Sequence, residues 1–102
     1  MTTVQSKEIC AVILQQLGGR RFIAMTGSKN FVADGNTLRM NLTRNRVQAK
    51  WLSITLNEMD TYDMVFQGIK GGELVTKVEK LGIYDDQLQS IFTDVTGLYT
   101  SL

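Results

Sequence analysis

The sequence lacks histidine and proline altogether, and it contains a single cysteine, Cys10. Without histidine, the chain has neither the commonest catalytic base nor the commonest metal ligand. One cysteine allows no intrachain disulfide and excludes a zinc cluster. Because no histidine is present to activate it, Cys10 is expected to be a buried structural thiol beside the apolar stripe of a helix.

The motifs of common nucleotide-binding and hydrolytic enzymes are also missing. The chain contains none of the patterns GxxxxGK[ST], GxGxxG or GxSxG, which position phosphates or a nucleophile. Asp85 and Asp86 are suited to a divalent cation or to a helix cap, and the cap is the favoured interpretation. The sequence therefore predicts a protein that is not an enzyme and that uses no metal and no cofactor.

No apolar run approaches the length of about 18 residues that a membrane span needs. The N-terminus lacks the basic-then-apolar pattern of a signal peptide. Together with the single cysteine, these features favour a reducing, cytoplasmic compartment and no membrane association. With 102 residues, 43% of them hydrophobic and 21% charged, the chain is expected to form one globular domain, residues 1–102.

Residues 37–69 carry the clearest pattern, since apolar and polar side chains alternate in three short stretches separated by turns. Such alternation predicts strands with one buried face. Pairing Leu42 with Leu52, and Leu56 with Tyr62, sends every apolar side chain to one face, whereas a slip by one residue exposes them all. The predicted buried positions are Leu38, Met40, Leu42, Leu52, Ile54, Leu56, Tyr62, Met64 and Phe66.

The segments before this meander predict a helix and one further strand. Residues 4–17 have apolar side chains at i, i+4 and i+8, which indicates a helix that ends at Gly18-Gly19. Residues 20–26 are apolar on both parities in their centre and predict a first strand that is covered on both faces. Residues 27–36 are expected to be a connection, with a turn at Asp34-Gly35-Asn36.

The segments after the meander complete the fold. Residues 73–81 fit a strand or a helix, and their β-branched content favours the strand. Asp85 or Asp86 is expected to cap a last helix that ends at Gly97, and residues 98–102 form an apolar tail that packs on this chain or on a second copy. The prediction is an α+β domain: an antiparallel sheet of about five strands, with the N- and C-terminal helices packed on one face and the other face open.

Charge is distributed unevenly along the chain. Residues 1–51 carry eight basic and two acidic side chains, whereas residues 52–102 carry three basic and eight acidic ones. Such a split produces a dipolar surface if it survives folding. Interleaving of the two halves, with mutual neutralisation, is the interpretation that we favour.

The open face of the predicted sheet presents Trp51, the only tryptophan, near a basic loop, residues 44–50, that is expected to be mobile. The predicted register places Trp51 opposite Thr43, with Asn41 diagonal to it. Single-stranded nucleic acid is often held this way, because bases stack on the ring and cations take the phosphates. The predicted nucleic-acid-binding residues are Arg39, Asn41, Arg44, Arg46, Lys50 and Trp51, extended by Arg20, Arg21 and Lys29 if the first strand lies beside the second. Alternatively, Trp51 packs under a loop or at a homodimer interface.

Three segments, QLGGRRFIAMTGSKNFV, LRMNLTRNR and IFTDVTGLYTSL, resemble small uncharacterised proteins encoded by bacteriophages and by prophage regions of gut bacteria. The resemblance covers most of the chain and brings no established activity or site residues. It implies a bacterial cytoplasm and a phage or mobile-element setting, in which small non-enzymatic proteins bind nucleic acid or a host protein.

The competing hypothesis is a protein-binding module, such as a phage-encoded inhibitor or assembly factor. Its acidic residues would face a basic partner, and the apolar tail at residues 98–102 would supply the anchor. The acidic positions of this hypothesis are Glu58, Asp60, Asp63, Asp85, Asp86 and Asp94.

Overall fold

The computed structural model describes residues 3–100, with side chains from residue 7 onward. Two helices, α1 (Thr3–Leu17) and α2 (Gly19–Thr26), precede the sheet, and a 3-10 turn (Asp85–Gln87) leads from it into α3 (Leu88–Thr96). The strands are β1 (Lys29–Asp34), β2 (Thr37–Asn41), β3 (Trp51–Leu56), β4 (Tyr62–Lys70) and β5 (Glu73–Ile83). They form one antiparallel sheet in the order β1-β2-β3-β4-β5, which confirms the predicted α+β class and its meander.

The core lies between one face of the sheet and the three helices. Phe92 of α3 sits at its centre, because its ring meets Phe22 of α2 edge-on at 5.0 Å and lies 6.4 Å from the ring of Phe66 in β4. Ile54 is fully buried, as the alternation predicts. Leu42 and Leu56, which are predicted to be buried, are half-buried at the margin, as is Ile91 of α3. The other buried positions include Ile13, Leu17, Leu38, Met40, Leu52, Met64, Leu88 and Val95.

The predicted strand at residues 20–26 is wrong, because this segment forms helix α2. Its short apolar run does not distinguish the two structures, whereas the buried pair Phe22 and Thr26, at i and i+4, fits one face of a helix. Gly18 and Gly19 end α1 and, with φ values of 125° and 59°, let the chain turn at once into α2.

The connection predicted over residues 27–36 contains the first strand instead. β1 pairs with β2 through the tight turn at Gly35-Asn36, with Asp34 opposite Thr37. β1 is an edge strand whose side chains are almost all exposed, so it shows no apolar alternation. Val32 is exposed on the open face, whereas Phe31 packs against the core.

The register of the meander is predicted correctly in one half and is two residues off in the other. Leu56 pairs with Tyr62, and Leu52 with Phe66, as expected. Between β2 and β3, however, Met40 rather than Leu42 lies opposite Leu52. A shift of two residues keeps every side chain on its face, so hydrophobic alternation cannot detect it.

Helices α2 and α3 end in the same way, each at a Thr-Gly pair. The Thr26 and Thr96 hydroxyls donate to the carbonyl oxygens four residues earlier, both at 2.7 Å. Gly27 and Gly97 follow in the left-handed conformation, and each glycine N–H closes the last helical turn. The Thr43 hydroxyl donates to the Thr26 carbonyl oxygen, which fixes the end of α2 beside the loop after β2.

The C-terminal part follows the prediction except at the helix cap. Residues 73–83 form strand β5. Asp85 and Asp86 lie inside the first turn, and the Tyr84 backbone N–H, which precedes that turn, donates to the Gln87 side chain at 3.0 Å. Within the tail, Leu98 packs on this chain's core and Tyr99 is exposed. Residues 101–102 lie outside the described part of the chain.

Charged side chains separate towards the two ends of the sheet. The basic end is where β1 begins, β2 runs into β3 and β4 turns into β5; it carries Lys29, Arg44, Arg46, Lys50 and Lys70, together with Glu73. The acidic end is the opposite one, and it carries Asp34, Glu58, Asp60, Asp63, Asp85 and Asp86. The two halves of the chain therefore interleave within the sheet, yet the strand ends and turns are largely segregated by sign; Arg39 in β2 and the mixed charges of β5 are the exceptions.

Candidate nucleic-acid interface

Two clefts on the open side of the sheet share Asn41 and Trp51 in their walls. The first, called the basic cleft, has a volume of about 600 Å³ and lies at the loop between β2 and β3. The second, called the sheet groove, has a volume of about 820 Å³ and runs across all five strands. The two clefts therefore adjoin at Asn41 and Trp51.

The basic cleft is lined by four of the five cations of the basic end, and no Asp or Glu is among its lining residues. Lys29 reaches it from β1, where it lies opposite Asn41, and the other three belong to the loop. All four are exposed. Like charges around one concavity raise the local positive potential and attract anions. The cleft is lined by Lys29, Arg44, Arg46 and Lys50, with Asn41, Leu42, Thr43, Asn45, Gln48, Ala49 and Trp51.

The connection between β2 and β3, residues 42–50, contains the basic loop, residues 44–50, which is predicted to be mobile, but hydrogen bonds hold it. The Asn45 side-chain N–H₂ donates to the carbonyl oxygens of Thr43 and Ala49, at 2.8 and 2.6 Å. Its side-chain oxygen accepts from the Ala49 backbone N–H at 3.1 Å. The Leu42 N–H donates to the Lys50 carbonyl oxygen at 2.8 Å, which closes the loop at its base. A single asparagine thus organises the loop that presents the cations.

Two further contacts tie the basic loop to the rest of the fold. The Arg46 backbone N–H donates to the Thr96 carbonyl oxygen at 2.9 Å, and its guanidinium donates to that of Asp94 at 3.1 Å. A cation at a helix C-terminus satisfies free carbonyls and opposes the helix dipole. The Gln48 carbonyl oxygen lies against Gly68 of β4, where a Cβ would come within 2.7 Å of it. Arg46 is therefore partly engaged in fixing the loop.

Trp51 stands at the junction of the two clefts. It is half-buried on the open face, and β-pairing places it directly opposite Asn41 in β2 and Gln67 in β4. This corrects the predicted arrangement, in which Trp51 faced Thr43. The structure thus brings together Lys29, Asn41, Arg44, Arg46, Lys50 and Trp51 of the predicted set.

The sheet groove has a mainly apolar wall. Val32, Val65, Ile69 and Leu74 contribute aliphatic side chains from β1, β4 and β5. Val32, Ile69 and Leu74 are exposed although they are large and hydrophobic. Exposed aliphatic side chains gathered in one concave patch are typical of binding surfaces.

The remaining predicted site residues lie apart from the basic cleft. Arg39 lines the sheet groove, but its guanidinium lies 3.6 Å from the Asp34 carboxylate at the other end of the strand pair. Arg20 and Arg21 are exposed at the start of α2, in the helical layer. Their inclusion depended on a first strand at residues 20–26, and that strand does not exist.

The groups with altered acidity lie outside both clefts. Burial raises the pKa of the Cys10 thiol, which donates to the Thr37 carbonyl oxygen at 3.2 Å. Burial also raises the pKa of Tyr62, with a smaller contribution from Asp85. Among the described residues, no cluster of three or more acidic or cysteine side chains is placed to hold a metal. No helix in residues 3–100 is long and apolar enough to cross a membrane.

Sequence reasoning missed Asn45 and Gln67. Gln67 alternates with the buried residues of β4 and therefore lies on the open face. A search for polar side chains on that face finds it once the search is extended from β3 to β4. Asn45 has no periodic signal, because a short amide that bonds its own loop depends on the loop conformation.

Comparisons with protein-family models, with curated proteins and with solved structures give no match to this chain. Fold and site are therefore interpreted from the chain's own residues, and the resemblance to phage-encoded proteins stays a prediction.

Proposed function

We propose that this protein binds single-stranded nucleic acid in a sequence-tolerant manner through the basic cleft and Trp51. The observation that carries the proposal is the position of the only tryptophan: it lines the same cleft as four cations, with no acidic side chain in the lining. An aromatic platform beside a basic track is the common arrangement for single strands.

The ring favours single strands over duplexes. Stacking on Trp51 requires a base that is free of its partner, and the ring lies on a sheet face rather than on an element that could enter a groove. The phosphates would lie on Lys29, Arg44 and Lys50, which are exposed on the cleft wall. Arg46 would contribute less, since its guanidinium is bonded to the end of α3.

A fluorescence titration of Trp51 tests the proposal most directly, because no other tryptophan contributes. Oligo-dT at low salt should quench or shift the emission, and duplex DNA of equal length should do so more weakly. Log affinity should fall linearly with log salt, by about 0.7 units for each phosphate contact. If oligo-dT, duplex DNA and RNA all leave the emission and the electrophoretic mobility unchanged at tens of micromolar protein, the proposal is wrong.

A second candidate function, docking of a basic protein partner, is supported by apolar side chains at the acidic end. Met59, Leu81 and Tyr84 are 82%, 61% and 62% exposed. They lie in the β3–β4 turn and at the end of β5, among the acidic residues already named. The tail supports this function less, since Leu98 belongs to this chain's own core. A host protein in a phage setting remains the partner proposed for this alternative.

The two candidate functions separate by one pair of variants. Leu81→Ser combined with Tyr84→Ser should abolish binding of an amphipathic Lys/Leu peptide at the acidic end while leaving oligo-dT binding intact. Trp51→Ala should weaken oligo-dT binding and leave peptide binding intact. Retention of peptide binding by the double variant would remove the basis of the second candidate.

A further inference from the structure

We infer that the side-chain amides of Asn41 and Gln67 read the edge of the base that stacks on Trp51, and that adenine is the base they favour. This inference rests on the proposed function and adds selectivity at one position of an otherwise tolerated strand.

The β-pairing places both amides next to the ring. Asn41 and Gln67 are the direct cross-strand neighbours of Trp51, one on each side, and all three side chains lie on the open face. Direct neighbours in an antiparallel sheet have Cβ atoms about 4.5–5.5 Å apart. A base on the indole therefore has an amide within reach on either side.

Neither amide is used within the described part of the protein. Asn36, Asn45 and Asn57 donate their side-chain N–H₂ groups to backbone or side-chain oxygens. No hydrogen bond of residues 7–100 involves the side chain of Asn41 or Gln67, although both are half-buried. Neither amide is among the buried atoms that lack a partner, so both reach solvent and are available to a ligand.

The chemistry of the amide points to adenine. An amide presents one acceptor and one donor side by side. Adenine matches this pattern on two edges, with its N6 donor beside the N7 acceptor on one and beside the N1 acceptor on the other, so an amide on either side of the base has a partner. The sheet groove continues past Gln67 to the aliphatic wall of Ile69 and Leu74 and, at about 820 Å³, has room for a purine. The basic cleft on the other side keeps the phosphates near the cations.

Pentanucleotides with one variable base test the inference. The wild-type protein should bind dTTATT about fivefold or more tightly than dTTTTT, since a well-formed pair of such hydrogen bonds discriminates at this level or above. Asn41→Ala and Gln67→Ala should each bring this ratio towards one, with the salt dependence unchanged. Thr55→Ala, on the same strand and face as Trp51 but outside the lining of both clefts, is the matched control and should keep the full ratio.

The outcomes separate the inference from the function on which it rests. Equal binding of the pentamers with A, T, G or C at the centre would overturn the inference and leave the proposed function standing. A preference for adenine that survives in both amide variants would also overturn it. Absence of binding to every pentamer would overturn the proposed function itself. Two amide variants are used so that the test survives if one fails to fold, and their circular dichroism should match the wild type.

Discussion

The basic and acidic ends of the sheet are both organised by one asparagine, but they treat their charges differently. At the basic end, Asn45 bonds only to backbone groups of its own loop. At the acidic end, Asn57 donates to the Asp63 carboxylate at 3.1 Å as well as to Thr61. The same carboxylate oxygen accepts from the Gly82 N–H at 3.1 Å. The Asp63 side chain is therefore engaged in hydrogen bonds within the fold.

This difference shows which end leaves its charged side chains available to a ligand. Among the residues that the structure describes, the single ion pair joins Arg39 and Asp34, so it removes a charge from the acidic end as well. The cations at positions 29, 44 and 50 surround a cleft and have no such partner within the described chain. Unpaired charge around a concavity is suited to an anionic ligand, whereas charge used in turns stabilises structure.

The largest expected effect is the loss of stability caused by Ile54→Ala. This variant tests whether one hydrophobic core supports both ends of the sheet. Ile54 is fully buried at the middle of the sheet. Its truncation should lower the free energy of unfolding by roughly 2–5 kcal/mol, as deletion of a buried aliphatic group does. Urea unfolding measures it. The neighbouring Ser53→Ala on the open face should change stability by less than about 0.5 kcal/mol. An equal effect of the two would contradict the assignment of faces.

Trp51→Ala should weaken binding of oligo-dT by roughly 1–3 kcal/mol, because the stacking platform is lost. The slope of log affinity against log salt should stay close to the wild-type value, since no phosphate contact is removed. Tyr84→Ala removes an exposed aromatic ring at the acidic end and serves as the matched control. Fluorescence anisotropy of labelled oligo-dT measures the affinity of both variants. A similar loss of affinity in the two would show that the basic and acidic ends do not differ in nucleic-acid binding.

Arg46→Ala should lower the stability of the protein, whereas Arg44→Ala should weaken its binding of nucleic acid. Arg46 caps the end of α3 through the Asp94 carbonyl oxygen, and such a cation contributes about 0.3–1 kcal/mol. Arg44 is exposed in the same loop, so its removal should leave the unfolding midpoint nearly unchanged but flatten the salt dependence by about 0.7 units. Should Arg46→Ala be as stable as the wild type, the guanidinium contact has no structural role.

The pKa of Tyr62 reports the negative charge of the acidic end. Burial raises the pKa of its phenol above the ordinary value of 10.0, and the negative charges of Asp85 and Asp60 raise it further. The stability from the neutral phenol is therefore fully present below pH 10.0 and is lost as the pH rises through the raised pKa. In a background with the other two tyrosines changed to Phe, Asp85→Asn should lower this pKa, followed by tyrosinate absorbance. Asp94→Asn, near the opposite end, is the control and should leave it unchanged.

Much of the fold was predictable where one face is buried. Alternation in β3 and β4 gave their faces and their mutual register. It failed for β1, whose exposed side chains carry no pattern, and for α2, whose short apolar run fits a strand as well as a helix. The two-residue error between β2 and β3 has another cause: the nine-residue loop sets the offset through Asn45 and its backbone contacts, which alternation does not report.

The candidate site was predictable from chemistry but not from geometry. Trp51 and the loop cations were identified by type and parity, and the structure places them around one cleft. Lys29 joins them because β1 pairs with β2, whereas Arg20 and Arg21 were included on a strand that is a helix. Gln67 was missed because the search of the open face stopped at β3, although the predicted β3–β4 register already places it opposite Trp51.

The smallest expected effect belongs to Arg39→Ala, at the boundary between the two ends. The Arg39 guanidinium lies 3.6 Å from the Asp34 carboxylate, and both side chains are more than half exposed, so the pair contributes little to stability. Because Arg39 faces the acidic end, its loss should reduce the salt slope of oligo-dT binding by clearly less than the 0.7 or so units expected for Arg44→Ala. Affinity measured between low and moderate salt gives both slopes. A decrease for Arg39→Ala equal to that for Arg44→Ala would place the boundary elsewhere and extend the phosphate track along β2.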